Sequence, residues 1–235
     1  MIPNHTFFVN PNSVVDNTFI LDKNESHHLH QVLRLKPDTR VSLINGLGIG
    51  YVGTIKKVDD GIVYGLIEKE IKQLGENDYN INVIVAIIKR NRFENLLEKA
   101  TELGVTIIQP IITDRCVKKT INFRRCKKII MSSAKQCQRS QFPILHKPVK
   151  LFSWLKENHY SSFAGKMNSS NYLGDLKINK KIPANILIGP EGDFTRKEID
   201  NMVEKDVMFY TLGKRRLRTE TAVIKSISII NELLR

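Results

Sequence analysis

Residues 186–222, ILIGPEGDFTRKEIDNMVEKDVMFYTLGKRRLRTETA, run through one architecture twice, and this limits the folds open to the chain. An apolar run at 184–188 breaks at Gly189-Pro190-Glu191-Gly192, and a helical pattern with Thr195 as N-cap then continues to about Val203. A second apolar run at 207–212 breaks at Gly213 into Lys214-Arg215-Arg216-Leu217-Arg218, after which Thr219 or Thr221 can cap a final helix. Strand, sharp loop and helix in succession describe an α/β fold with a mostly parallel sheet. The loops leaving the carboxyl ends of such strands hold ligands, because backbone amides and helix N-termini converge there. Glycine at such a turn has a purely steric explanation. These loops, however, also carry Pro190, Glu191, Arg218 and Glu220 beside threonine hydroxyls, more polar chemistry than a connector needs.

The N-terminal part is organised differently. Residues 1–72 hold short apolar runs at 6–9, 19–21, 41–44, 51–55 and 62–67, separated by Pro37-Asp38, Asn45-Gly46 and Asp60-Gly61, which are hairpin signals. One short helix, 26–35, interrupts them with Leu29, Val32 and Leu33 as its apolar face. A small β-barrel is the economical solution. Residues 73–80 are polar and aperiodic and serve as the linker, and residues 81–235 form the second domain. There the alternation is of the α/β type: strand 81–88, helix 93–103, strand 105–112, a basic helix 123–137, helix 151–157 and strand 161–165. Residues 167–181 read as a polar surface loop.

Two patterns fail their own context. Gly48-Ile49-Gly50-Tyr51-Val52-Gly53 satisfies G-x-G-x-x-G, yet strand rather than helix follows it, so it is not a dinucleotide fingerprint. His27, His28 and His30 lack matching Cys, Asp or Glu ligands, and Cys116, Cys126 and Cys137 lack C-x-x-C spacing, so no metal and no disulfide framework are expected.

Charge distribution says more than total charge. The 235 residues carry a formal charge of +13, part of which can be drift in a chain rich in Ile, Asn and Lys. Residues 115–139, however, hold nine basic side chains and no acid, including Arg115, Arg124, Arg125 and Arg139. Drift does not produce such a run, and it reads as a surface facing phosphates. With Arg34, Lys89 and Arg90 these are the candidate phosphate contacts, the alternative being a solvated basic face. No apolar run approaches the ~18 residues that span a bilayer and no leader pattern is present, so a cytoplasmic location without membrane partners is expected.

IGPEGDFTRKEI followed by LGKRRLRTETA resembles the C-terminal signature of the RsmE family, the 16S ribosomal RNA uridine N3-methyltransferases of the SPOUT superfamily. HLHQVLRL at 28–35, KATELGV at 99–105, ITDRC at 112–116 and KQCQR at 135–139 match in the family's order, so the resemblance covers nearly the whole chain. The family more often has an acidic residue where Lys135 stands and glycine where Asp193 stands.

The resemblance implies a PUA-like RNA-binding barrel, with positive charge from Arg34, Lys36, Arg40, Lys56 and Lys57, before a SPOUT domain. It also implies a C-terminal trefoil knot that the rarity of threaded chains would argue against. It further implies a homodimer, to which the wide apolar stripe of the last helix (Val223, Ile227, Ile230, Leu234, with Ile224, Ile229 and Leu233 beside it) can contribute. The implied cofactor is S-adenosyl-L-methionine. It would be held by Leu187, Gly189, Pro190, Glu191 and Gly192 of one loop and by Leu212, Gly213, Leu217, Arg218, Thr219 and Ala222 of the other, the leucines forming apolar walls. The implied partner is 16S ribosomal RNA or the small subunit. Arg218 and Glu220 are the candidate catalytic pair: Glu220 as base or as anchor of a water that takes the N3 proton, Arg218 as stabiliser of charge on a uracil oxygen. Glu191 is the competing carboxylate, and a mutual Arg218–Glu220 ion pair is the structural alternative. A basic RNA-binding or assembly protein without catalysis, or a SPOUT enzyme for another RNA, are the alternative functions.

Overall fold

The computed structural model describes residues 2–157 and 161–235. The chain divides into two units, Met1–Glu76 with Met131–Phe142, and Asn77–Ile130 with Pro143–Arg235. The first unit therefore runs past residue 72 and takes in the end of the basic helix, which sequence reading assigned wholly to the second domain.

In the first unit, Asp60 and Gly61 sit at φ 47° and 72°, the left-handed pair that closes a two-residue hairpin without splaying its strands. It joins two long strands, β5 (Ile49–Asp59) and β6 (Ile62–Lys72). Before them come β1 (Thr6–Phe8), β2 (Val14–Val15), β3 (Thr18–Ile20), helix α1 (Lys23–His27) and β4 (Arg40–Ile44). The sheet order is β1-β4-β5-β6-β3-β2, antiparallel except for the parallel pair β1 and β4. Phe7 of β1 and Phe19 of β3 come from opposite sides of that order, yet both are fully buried in one core with Leu29, Leu43, Ile55 and Val63. The sheet is therefore curled around its own interior. Gly65 is required by that curl, since a Cβ there would meet the Phe19 ring at 2.3 Å.

Asp22 caps α1 by accepting the Glu25 N–H at 2.9 Å. The helix is shorter than expected and passes into a π turn, His28–Val32, closed by the Leu33 N–H on the His28 carbonyl at 2.9 Å. The wider turn shifts the register: Leu29 is buried as expected, whereas Val32 is 58% exposed. Lys135 meets Glu25 at 2.6 Å, and Glu25 also accepts the Phe8 N–H.

The second unit comprises β7 (Ile81–Ala86), α2 (Arg90–Glu102), β8 (Ile107–Ile112), the first half of α3 (Phe123–Cys137), β9 (Ile144–Leu145), β10 (Val149–Lys150), α4 (Leu151–Glu157), β11 (Ser162–Gly165), β12 (Ala184–Ile188), α5 (Arg196–Val203), β13 (Met208–Tyr210) and α6 (Thr219–Leu234). Every strand pairing is parallel, in the order β10-β8-β7-β12-β11-β13 with β9 beside β8. β7 and β12 are buried along their whole length, which is why they read as unbroken apolar runs. On one face Ile84, Ala164 and Leu187 pack with Trp154 and Leu155 of α4 and Met202 of α5. α6 lies against β7 and β12 and packs on α2, with Val223, Ile227, Ile230 and Leu234 buried. Its second apolar row is only half covered, Leu233 being 38% exposed. Among the described residues no helix is long and apolar enough to cross a membrane.

Candidate functional site

Because β12, β11 and β13 are adjacent and parallel, their carboxyl ends stand side by side, and three loops leave from one edge. The loop after β12 is built by local polar bonds. The Asp193 N–H donates to the Pro190 carbonyl at 2.9 Å, and the Asp193 carboxylate accepts the Phe194 N–H at 2.8 Å. Asp193 has φ 62°, a left-handed conformation that aspartate tolerates better than most residues with a side chain. Thr195 and Glu198 then form a reciprocal capping box that starts α5.

The carbonyls of this loop are gripped from elsewhere in the unit. Thr219 donates to the Gly189 carbonyl at 3.0 Å, Arg216 to that of Glu191 at 2.6 Å, and Arg115 to that of Gly192 at 2.6 Å. Thr219 spends its hydroxyl on that strap and is the first residue of α6, so neither it nor Thr221 is the cap; Arg218 holds that position without a side-chain bond.

In the loop after β13, Gly213 has φ 111° and its N–H donates to Thr211 Oγ1 at 3.2 Å, while Lys225 holds the Leu212 carbonyl at 2.8 Å. Below it the Tyr210 hydroxyl and Ser226 share a buried hydrogen bond of 2.7 Å, and burial pushes the phenol's pKa well above its ordinary value. The third loop, Gly165-Lys166-Met167 after β11, is fastened by the Lys166 N–H on the Tyr210 carbonyl at 2.8 Å.

These loops and the head of α6 enclose a cavity of about 180 Å³. Gly189, Pro190 and Glu191 line it from the first loop, and Leu212, Gly213, Leu217, Thr219 and Ala222 from the second loop and α6. Three expected cofactor residues do not line it. Leu187 is fully buried in the core beneath α4 and α5, because side chains alternate along a strand and its neighbour Ile188 takes the cavity side. Gly192 faces Arg115, whose Cδ would lie 3.3 Å from a Cβ there. Arg218 is exposed. Sequence reading missed Lys166 and Met167, along with Tyr210, Thr211, Arg215 and Arg216, which also line the cavity. The lining thus combines apolar walls with cations and two carboxylates, Glu191 and Asp193.

Glu220 is largely covered, with 12% of its side chain exposed, and its ion pair is with Arg92 Nε at 3.7 Å rather than with Arg218. Arg92 also reaches Glu191, at 3.0 Å.

The candidate RNA contacts divide by environment. Lys89 and Arg90 are exposed at the start of α2, and Arg124 is exposed on α3. Arg34 is exposed on the first unit at φ 54°. Arg125 is exposed but grips Glu94 with two bonds, 2.6 and 2.9 Å, which hold the Glu94 carboxyl below its ordinary range. Arg115 is exposed and braces the Gly192 carbonyl. Arg139 is not a surface contact: it is 4% exposed and paired with Glu76 at 2.8 Å, and Glu76 also accepts the Gln141 N–H. A run of positive charge in sequence does not reveal which members have buried partners. Among the described residues no group of three His, Cys, Asp or Glu side chains is placed to hold a metal.

Known proteins share this fold. Residues 75–231 match the model of the RNA methyltransferase domain, and residues 21–68 that of the RNA methyltransferase PUA domain. Ribosomal RNA small subunit methyltransferase E of Mesomycoplasma hyopneumoniae is 30% identical over 230 residues, 94% of this chain and 96% of that protein. The protein of the same name from Rickettsia conorii is 28% identical over 214 residues, 88% of this chain and 87% of the relative. The crystal structure of a ribosomal RNA small subunit methyltransferase E from Neisseria gonorrhoeae bound to S-adenosyl methionine has a TM-score of 0.90 at 28% identity, covering 99% of this chain and 98% of that one.

Proposed function

Because this chain belongs to the ribosomal RNA small subunit methyltransferase E family, we propose that it methylates N3 of a uridine in 16S ribosomal RNA with S-adenosylmethionine. The observation that carries this reading is the meeting of three parallel strand ends at one cavity of mixed lining. Such a lining fits the cofactor: Leu212 and Leu217 suit an adenosine, and Glu191, Asp193, Arg215 and Arg216 suit a ligand with a sulfonium, an ammonium and a carboxylate. When bound, the cofactor supplies an electrophilic methyl group.

The chain's share of the work is alignment and proton handling. Backbone groups of the loops at Gly189 and Gly213 orient the ligand, and the strap from Thr219 to Gly189 keeps the two loops in register. Uridine N3 carries a proton that must leave. Glu220 is the carboxylate proposed to take it, through an intervening water, and the exposed Arg218 to stabilise charge on a uracil oxygen. Glu191, which lines the cavity itself, is the alternative acceptor.

The account includes a SPOUT-type trefoil knot through the two glycine loops and a homodimer formed in part by the half-covered row of α6. RNA is held by the PUA unit with Arg34, and by Lys89, Arg90, Arg115 and Arg124 of the second unit, Arg125 being committed to Glu94. A cytoplasmic location follows from that substrate.

Calorimetry with S-adenosylmethionine and with its demethylated product, on protein whose mass in solution is measured in the same sample, tests the cofactor assignment. Saturable micromolar binding to a dimer is expected. A folded protein that binds neither ligand, with or without small-subunit RNA, contradicts it.

A further inference from the structure

Arg92 stands where helix electrostatics disfavours it. The first turn of α2 contains no acid, and a cation there faces the positive end of the helix. Two carboxylates from other elements compensate. Arg92 Nη1 meets Glu191 Oε1 at 3.0 Å, and Arg92 Nε faces Glu220 Oε1 at 3.7 Å. Glu191 lines the cavity, whereas Glu220 heads α6, and the second Glu220 oxygen, Oε2, is buried without a hydrogen-bond partner. A buried carboxylate oxygen without a donor is rare in folded proteins, because its desolvation goes uncompensated.

We propose that Arg92 is a positioning residue that couples the cofactor loop to Glu220. Its guanidinium pairs with Glu220 Oε1 by charge at 3.7 Å, without a hydrogen bond, while Oε2 stays buried without a donor and is the oxygen that gains most from a proton. Its hydrogen bond to Glu191 makes that setting depend on the loop that lines the cofactor cavity. The proton removed from the RNA base would end on Oε2, turning the carboxylate into a neutral acid. Lysine cannot substitute fully, since a single ammonium lacks the planar fork that faces two carboxylates at once. This inference rests on the methyltransferase reading above.

The test compares wild type with Arg92→Gln, Arg92→Lys, Glu191→Gln and the double variant Arg92→Gln/Glu191→Gln. Two readouts are taken: calorimetric affinity for the demethylated cofactor and steady-state methylation of small-subunit RNA. Arg92→Gln should lower kcat by about 10- to 100-fold while KM for RNA moves by less than about 3-fold. Arg92→Gln and Glu191→Gln should weaken the demethylated cofactor to a similar degree, and the double variant should lose no more than either alone, as coupled groups do. Arg92→Lys should give an intermediate kcat and decides the matter if Arg92→Gln fails to fold. Unchanged kcat in either variant, a rise in KM alone, or losses that multiply in the double variant would overturn the proposal. Failure of wild type to bind the demethylated cofactor would instead count against the methyltransferase reading itself.

Discussion

The Thr219 hydroxyl donates to the Gly189 carbonyl at 3.0 Å in a buried bond, so the head of the last helix is tied to the loop that ends the central strand β12. Thr219→Val keeps the shape and removes the donor, leaving a buried carbonyl unpaired at a cost of about 1–3 kcal/mol. Weaker binding of the demethylated cofactor and a lower urea midpoint are expected, with Thr219→Ser close to wild type. Equal behaviour of the valine and serine variants would show that the strap is dispensable.

Gly213 has φ 111° and no atom within 4 Å of where a Cβ would stand, so its backbone conformation rather than crowding demands glycine. Gly213→Val should strain the loop by about 1–3 kcal/mol and fill part of the cavity. Cofactor affinity should fall by roughly 10-fold or more, with RNA affinity largely kept. Unchanged cofactor affinity would remove this loop from the site.

Arg139 and Glu76 form a buried pair, 4% and 7% exposed. Arg139→Ala should destabilise by about 3–5 kcal/mol, because Glu76 is left buried without its ion-pair partner. Arg124→Ala, on an exposed side chain, should stay within about 0.5 kcal/mol of wild type. Urea unfolding separates the two. A stable Arg139→Ala variant with impaired RNA binding would return Arg139 to the RNA surface.

Glu94 accepts from Arg125 and lies near Arg90, and the Arg125 hydrogen bonds hold its carboxyl below the ordinary value of 4.5. A carboxyl depressed in the folded state stabilises above its unfolded value, and that contribution disappears as pH falls through the lowered folded value. The urea midpoint of wild type should exceed that of Glu94→Gln at neutral pH, and the gap should shrink below about pH 4.5. A pH-independent gap would mean the pair contributes by packing alone.

Arg124, Lys127 and Lys128 are exposed on α3, whereas Arg125 is committed to Glu94. Replacing the first three together should reduce the salt slope of RNA binding by up to about 2–3, at roughly 0.7–0.9 per phosphate contact. An unaltered slope would mean that this face does not meet the RNA.

Much of the second unit was legible because its signals are local. β12 is a continuous apolar run, and Thr195 with Glu198 spells a capping box, so strand, loop and helix fall where expected. β9 and β10, two residues each, were not legible, because strands that short have no period. The polarity of residues 167–181 points to a surface loop after β11, whereas Lys166 and Met167 reach the cavity by way of sheet order alone. Leu187 was misplaced since a strand buried on both faces shows no alternation to say which side chains face the cavity. Arg92 carried no signal in its own segment; its partners Glu191 and Glu220 are brought to it only by the fold.

The most direct test of the central claim is nucleoside mass spectrometry of 16S ribosomal RNA from unmethylated small subunits incubated with the protein and isotope-labelled S-adenosylmethionine. The account predicts label in 3-methyluridine, lost with Gly213→Val. Label in a different nucleoside, or none from a protein that binds the cofactor, would contradict it.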